Sequence, residues 1–105
     1  MPTYIIYKYN IDSIMFKQIN RSRDTKYKYE AILEHQNGIQ SIIPFGNMID
    51  RHYADTTPLG CYKQSDTYNN TIRENAIKKF LHNRTTLIKN SSKYFELKYL
   101  YSVHI

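Results

Sequence analysis

The clearest periodicity lies between residues 27 and 45. Tyr27, Tyr29, Ala31 and Leu33 alternate with Lys28, Glu30, Ile32 and Glu34; after His35-Gln36-Asn37-Gly38, Ile39, Ser41, Ile43 and Phe45 alternate with Gln40, Ile42 and Pro44. A period of two puts successive side chains on opposite faces of a strand. Asn-Gly accepts the positive φ that tight turns need. The pattern predicts a β-hairpin over about 27–45, with Pro44 at a strand end or sheet edge because it lacks an N–H. Upstream, "TYIIYKY" (3–9) is β-branched and aromatic and reads as a strand. "IDSIMFKQI" (11–19) fits a strand or a helical turn, and "NRSRDTK" (20–26) reads as a loop.

Past Gly46 the pattern breaks, and Pro58 and Gly60 exclude a long helix. From about Tyr68 the period becomes helical. Ile72, Ala76, Ile77, Phe80 and Leu81 share a stripe that Arg73, Glu74, Lys78 and Lys79 avoid. This predicts the main helix at about 68–83. Thr71 with Glu74 offers a capping box and Asp66 an earlier cap. Over 93–103 two readings stay open: Phe95, Leu97, Tyr99, Tyr101 and Val103 alternate as in a strand, while Ser91 and Ser92 resemble a helix cap. The expected fold is a single α+β domain over 1–105. It has a small antiparallel sheet around the hairpin, packed by the 68–83 helix, and a short C-terminal element over one edge.

Composition sharpens this in three ways. At 105 residues and 41% hydrophobic, the chain can build one core. Eleven tyrosines and no tryptophan, with abundant Ile, Asn and Lys, indicate an AT-rich gene. The net charge of +6 is uneven: residues 1–29 carry six basic and two acidic side chains, 30–66 two and five, 67–105 seven and two. Basic ends around an acidic middle suit docking by opposite charge onto several neighbours better than uniform coating of phosphate. One cysteine permits no internal disulfide. The opening "MPTYIIYKYN", interrupted by Lys8, is too short for a signal or a membrane span. The expectation is a reducing, cytosol-like compartment, without secretion.

The densest concentration of chemistry is "FGNMIDRHYADTTPLGCYKQSD" (45–66), with Cys61, His52, Asp50 and Asp55. A cysteine nucleophile needs a histidine partner that is itself oriented, and no cysteine-hydrolase signature surrounds Cys61. Zinc sites use closely spaced ligand pairs, whereas His35, His52, His82 and His104 are far apart. Gly38, Gly46 and Gly60 are too dispersed to cradle a phosphate. The expectation is therefore no catalytic residue, metal or cofactor. What stands out instead is tyrosine interleaved with lysine, at 7–9, 26–29 and 93–101. Such residues stack on bases or anchor interfaces, or else simply alternate between core and solvent.

Phe45-Gly46, then Tyr53, Asp55, Thr57, Pro58, Leu59 and Tyr62, then Arg73-Glu74-Asn75 and finally Phe95, Lys98, Tyr99, Leu100 and Tyr101 stand in a characteristic order. In this the chain resembles a family of small, basic, uncharacterised proteins of nucleocytoplasmic large DNA viruses (giant viruses), over roughly residues 26–101. The helix "TIRENAIKKFLHNR" is less basic than the family's. Cys61 and His52 lie between the matching positions, which are turn and packing residues. The stretch is expected to be an ordered loop that shapes a surface. The resemblance implies a non-catalytic structural or interaction protein, a minor capsid-associated virion component, found in the virion or the infected cell's cytoplasm. Its partners would be larger viral proteins, with self-association open, and the expected interface residues are Tyr53, Asp55, Tyr62, Tyr99 and Tyr101. The alternative is binding of DNA or RNA phosphates by Lys26, Lys28, Arg73, Lys78, Lys79 and Arg84.

Overall fold

A computed structural model describes residues 7–8, 14–81 and 87–105. In chain order the elements are β1 (Tyr7–Lys8), β2 (Ile14–Arg21), β3 (Tyr27–His35), β4 (Gln40–Asn47), a 3-10 turn (Lys63–Ser65), α1 (Asn70–Phe80), β5 (Leu87–Ile88) and α2 (Ser92–Leu100). β2, β3 and β4 form an antiparallel sheet in that order. β1 and β5 pair in parallel over two residues. This is a small α+β fold. Of the strand expected over residues 3–9, only 7–8 fall among the described residues.

The hairpin forms where its alternation places it, with Tyr29 opposite Phe45, Ala31 opposite Ile43 and Leu33 opposite Ser41. Gly38 turns the chain at φ 86°, and the Asn37 side chain accepts from the Ile39 amide at 3.0 Å. The ambiguous segment before it is the third strand. Its register slips between Phe16 and Gln18, so that Phe16 faces Leu33 and Ile19 faces Ala31. This bulge puts Phe16 and Ile19, three residues apart, on the side of the core: Phe16 lies 5.7 Å from the Phe95 ring and Ile19 is buried. A period-two reading cannot join two such residues, because a bulge inserts one extra position.

α1 is shorter than the predicted helix. Tyr68 has φ 49°, which excludes it from the helix, and Leu81 is the C-cap. The N-cap is Asn69, whose side chain accepts from the amides of Thr71 and Ile72 at 2.9 and 3.3 Å. The expected caps are thereby corrected. Thr71 is already inside the helix, and Asp66 is engaged elsewhere, accepting from the Asp55 amide at 2.7 Å.

The segment over 93–103 is mainly helix, capped by Ser91, which accepts from the Tyr94 amide at 3.2 Å. Tyr94, Phe95, Glu96, Leu97 and Leu100 are all buried. A helix covered on nearly every side shows no polar stripe, hence no helical period. α2 packs on β4, and α1 packs on α2. The core joins Tyr29, Ala31, Leu33 and Phe45 from the sheet to Ala76, Ile77 and Leu81 from α1 and to Tyr94, Phe95, Leu97 and Leu100 from α2.

The C-terminal end of α2 positions the long loop 48–69. Helix ends leave carbonyls without intrahelical partners. Here the loop supplies the donors: Tyr53 and Ala54 amides to Leu100 O at 3.0 and 3.1 Å, and the Thr56 amide to Tyr99 O at 2.9 Å. Gly46 lets the sheet approach this junction. Its φ is 77°, and a Cβ placed there would lie 2.5 Å from Leu100 Cδ1.

Candidate functional site

Two buried polar networks fix the loop. The first centres on Asp55, which is 4% exposed. Its carboxylate accepts from the Tyr29 hydroxyl, from the Thr57 amide and hydroxyl at 3.0 and 2.6 Å and from the Tyr62 amide at 2.9 Å. The Tyr29 oxygen in turn accepts from the Cys61 amide at 2.8 Å. Burial pushes the Asp55 carboxyl upward, but the bonds from Thr57, Tyr29 and Tyr62 outweigh it and hold it below the usual range. The Tyr29 phenol is pushed well above its usual value, first by burial and then by the hydrogen bond to Asp55.

The second network joins β3, the loop and α2 through Lys28, His52 and Glu96, all buried. Lys28 Nζ lies 2.8 Å from His52 Nδ1, donates to Asp50 O at 3.3 Å and sits 5.5 Å from the Tyr62 ring centre. Burial lowers the Lys28 ammonium pKa below the usual range, against the opposing pull of Asp55, Asp50, Asp66 and Glu96. The His52 ring stands edge-on to Tyr101 at 5.2 Å. Its Nε2 faces the Glu96 carboxylate at 3.7 Å and has no hydrogen-bond partner among the described residues. Asp50, His52 and Glu96 each bring one ligand-type atom within 4.8 Å of the others.

Two depressions adjoin the second network. A cleft of ≈ 800 Å³ is lined by Lys28, Met48, Ile49, Arg51, Tyr62 and Asp66 among others. A smaller one of ≈ 270 Å³ is lined by Asp50, Arg51, Asn75, Lys79, Glu96 and Tyr101 among others. On the rim of the cleft Ile49 is 87% exposed, and its neighbour Met48 is exposed as well.

The five expected interface residues do not form one surface. Asp55 and Tyr101 are buried, correcting their reading as exposed anchors. Tyr53, Tyr62 and Tyr99 are half-buried. Tyr53 meets Tyr68 edge-on at 5.8 Å, Tyr62 meets Tyr29 at 5.4 Å, and Tyr99 stacks on Phe95 at 6.4 Å. Among the described residues the exposed tyrosine is Tyr68. Among the described residues Tyr29, Tyr94 and Tyr101 are buried in the core, and Tyr53, Tyr62 and Tyr99 pack against it.

The basic set is divided too. Lys26, Lys78 and Lys79 are exposed, but Lys28 is buried, which corrects its place among phosphate contacts. Arg73 is half-buried and donates to the carbonyls of Tyr101 and Ser102 at 2.8 and 3.3 Å. Arg84 lies outside the described residues. Lys17, Arg21 and Arg23 instead line a shallow depression of ≈ 520 Å³ on the sheet, together with Gln18, Glu30 and Ile42. Arg23 pairs there with buried Glu30 at 3.3 Å. Cys61 is half-buried, with its sulfur 4.0 Å from Leu59 O.

His52 and Glu96 were missed as partners because 44 residues separate them, and Lys28 reads as the polar member of an alternating strand. The one available signal was a charged side chain between two tyrosines, Tyr27 and Tyr29, on a strand. Among the described residues, no helix is long and apolar enough to cross a membrane. No family model, curated protein or solved structure matches the chain.

Proposed function

We propose that this protein is a non-catalytic interaction protein that holds a larger protein at the cleft beside Met48 and Ile49. The observation that supports this most directly is Ile49, 87% exposed on a loop whose ends are fixed. The Met48 amide donates to Lys26 O at 2.8 Å, and the Tyr53 amide to Leu100 O at 3.0 Å. An apolar side chain held out by a pinned backbone is unfavourably hydrated when free and gains by burial in a partner's pocket. The cleft walls add Arg51, Asp50 and Asp66, charges of both signs that select orientation rather than bulk affinity. On the resemblance to giant-virus proteins, the partner is a larger capsid or internal virion protein and the chain a minor component of the particle.

A photoreactive amino acid at position 49, in infected cells and in purified particles, tests both parts. The expected result is one dominant crosslink to a larger virion protein, absent when the reactive group is moved to the exposed hairpin tip at Gln36. A crosslink between two copies of this chain would replace the partner by self-association. Absence of the chain from particles, with abundance in cells, would remove the virion role.

A second reading, contact with nucleic-acid phosphates, is favoured by Lys17, Arg21 and Arg23 converging on the sheet. Burial of Glu30, Asp55 and Glu96 against Lys28 alone of the described basic residues also leaves the surface more positive than the composition suggests. Among the described residues none that lines that depression is aromatic, so they offer no base-stacking platform there. Binding would be by charge, and its affinity should fall steeply between two salt concentrations.

A further inference from the structure

We infer that Lys28 is a covalent binding site for a small uncharged carbonyl compound, held as an imine on Nζ, with His52 and Glu96 managing the proton. The geometry carries it. Lys28 Nζ is 2.8 Å from His52 Nδ1, and an ammonium has hydrogens to give and no lone pair. Nδ1 is therefore the acceptor, and the ring proton sits on Nε2, which faces the Glu96 carboxylate at 3.7 Å. The ring has no lone pair left for a cation. Amine, imidazole and carboxylate instead form a line along which a proton can move. Its members come from β3, the loop and α2, and all three are buried.

The line opens to solvent at the lysine end. Lys28 lines the ≈ 800 Å³ cleft with Arg51, Tyr62 and Asp66, and its Nζ lies 5.5 Å from the Tyr62 ring centre. A lysine becomes a nucleophile when it is desolvated and has a base within hydrogen-bond reach. Lys28 has both: burial holds its ammonium below the usual range, and His52 Nδ1 is the base.

The step balances without a redox partner. Lys28 passes one proton to His52 Nδ1, and Glu96 faces the imidazolium so formed. The freed nitrogen pair attacks the carbonyl carbon, a C–N bond forms, and the C=O π pair moves to oxygen. A proton shift from nitrogen to that oxygen gives a carbinolamine. His52 returns its proton to the hydroxyl, the C–O bond breaks, and water leaves as the nitrogen pair closes C=N. The product is a protonated imine, and hydrolysis reverses its formation. This is capture rather than turnover.

The surroundings select the ligand class. Asp55, Asp50, Asp66 and Glu96 all act on the Lys28 charge. A protonated imine keeps that charge, whereas acylation or carbamate formation would remove it and leave buried acids unpaired. That points to an aldehyde or ketone. In the cleft Asp50 and Asp66 already balance Lys28 and Arg51, so a ligand bringing a carboxylate has no unmatched cation to meet. Gln64, Ser65 and Thr67 line the same cleft and offer hydrogen bonds, so a hydroxy-aldehyde fits best.

The test uses the full chain with glycolaldehyde, trapped by sodium cyanoborohydride at neutral pH and followed by peptide mass mapping. Lys28 should be alkylated at least about tenfold faster than the exposed Lys26. Glyoxylate, of similar size but anionic, should lose that preference. Lys28→Arg keeps the cation and should abolish the fast phase. Glu96→Gln should slow Lys28 at neutral pH and recover at alkaline pH, where hydroxide takes the proton, with Lys26 unchanged; a merely structural role would show no such recovery. The wild-type comparison decides even where Glu96→Gln fails to fold. Lys28 labelled no faster than Lys26, labelled only in urea, or equally preferred by glyoxylate would each overturn the assignment. The labelling is read on the isolated chain, so its outcome is independent of any partner at Ile49.

Discussion

The Tyr29 hydroxyl donates to the Asp55 carboxylate across 26 residues of sequence, and this bond ties the central strand to the loop that forms the cleft. The same phenol oxygen accepts from the Cys61 amide, so one side chain secures both limbs of the loop. Tyr29→Phe removes the donor to Asp55 and the acceptor for Cys61 while keeping the ring. The expected loss is ~1–3 kcal/mol, read from the urea midpoint. A loss below about 0.5 kcal/mol, the range of neutral surface changes, would show that the bond is not structural.

Asp55 should also shape the acid limb of stability. Its folded carboxyl lies below the ordinary value of 3.8, so the charged form is favoured by folding. The stabilisation is complete above the unfolded value and disappears as pH falls through the folded one. Asp55→Asn should be less stable at neutral pH, and its curve should flatten below about pH 4, where the wild type falls. Tyr29 acts at the other end. Its raised phenol keeps its stabilisation below the ordinary value of 10.0 and loses it as pH climbs from there toward the folded value. Tyr29→Phe should therefore show a shallower alkaline decline by circular dichroism.

Gly46 and Gly38 share a positive φ and differ in surroundings. At Gly46 an added Cβ meets Leu100 Cδ1 at 2.5 Å, while at Gly38 nothing lies within 4 Å. Gly38→Ala should cost ~1–2 kcal/mol for the left-handed backbone alone. Gly46→Ala adds overpacking, typically ~1–3 kcal/mol, and should disturb the Leu100 junction that anchors the loop. Equal melting temperatures for the two variants would contradict the close approach.

Asn69→Ala should remove ~1 kcal/mol from the folded state, as losing an N-cap does. Thr71→Ala, inside the first turn and exposed, should be nearly neutral. Thermal denaturation of the pair identifies the cap.

Ile49→Asp should leave stability within about 0.5 kcal/mol, since the side chain is almost fully exposed, yet abolish co-purification of a partner with the tagged chain. If binding survives, the cleft rim is not the docking surface.

Some of this could be read along the chain and some could not. The hairpin was legible because Tyr29, Ala31, Leu33, Ile43 and Phe45 obey a period that two neighbouring strands share, and Asn37-Gly38 supplies a local turn. α1 was legible from its stripe, although its cap was misplaced by two residues: Asn69 and Thr71 are both chemically able to cap, and the backbone turn at Tyr68 decided between them. β2 was obscured by its bulge, and α2 by burial on nearly every side. Both erase the amphipathic period on which such readings depend.

The site was less legible than the fold. The sequence by itself determined that the stretch after the hairpin, from residue 48 to 66, is an ordered loop rather than a long helix, through Pro58 and Gly60, and that one small α+β core would absorb the apolar residues. Only the tertiary structure decided that Asp55 is the loop's buried hub, that most of the described tyrosines pack inward, and that Lys28, His52 and Glu96 meet. The reason is physical. Backbone preference and periodicity act over a few neighbouring residues, whereas a buried charge is tolerable only beside partners that the fold brings from β3, the loop and α2.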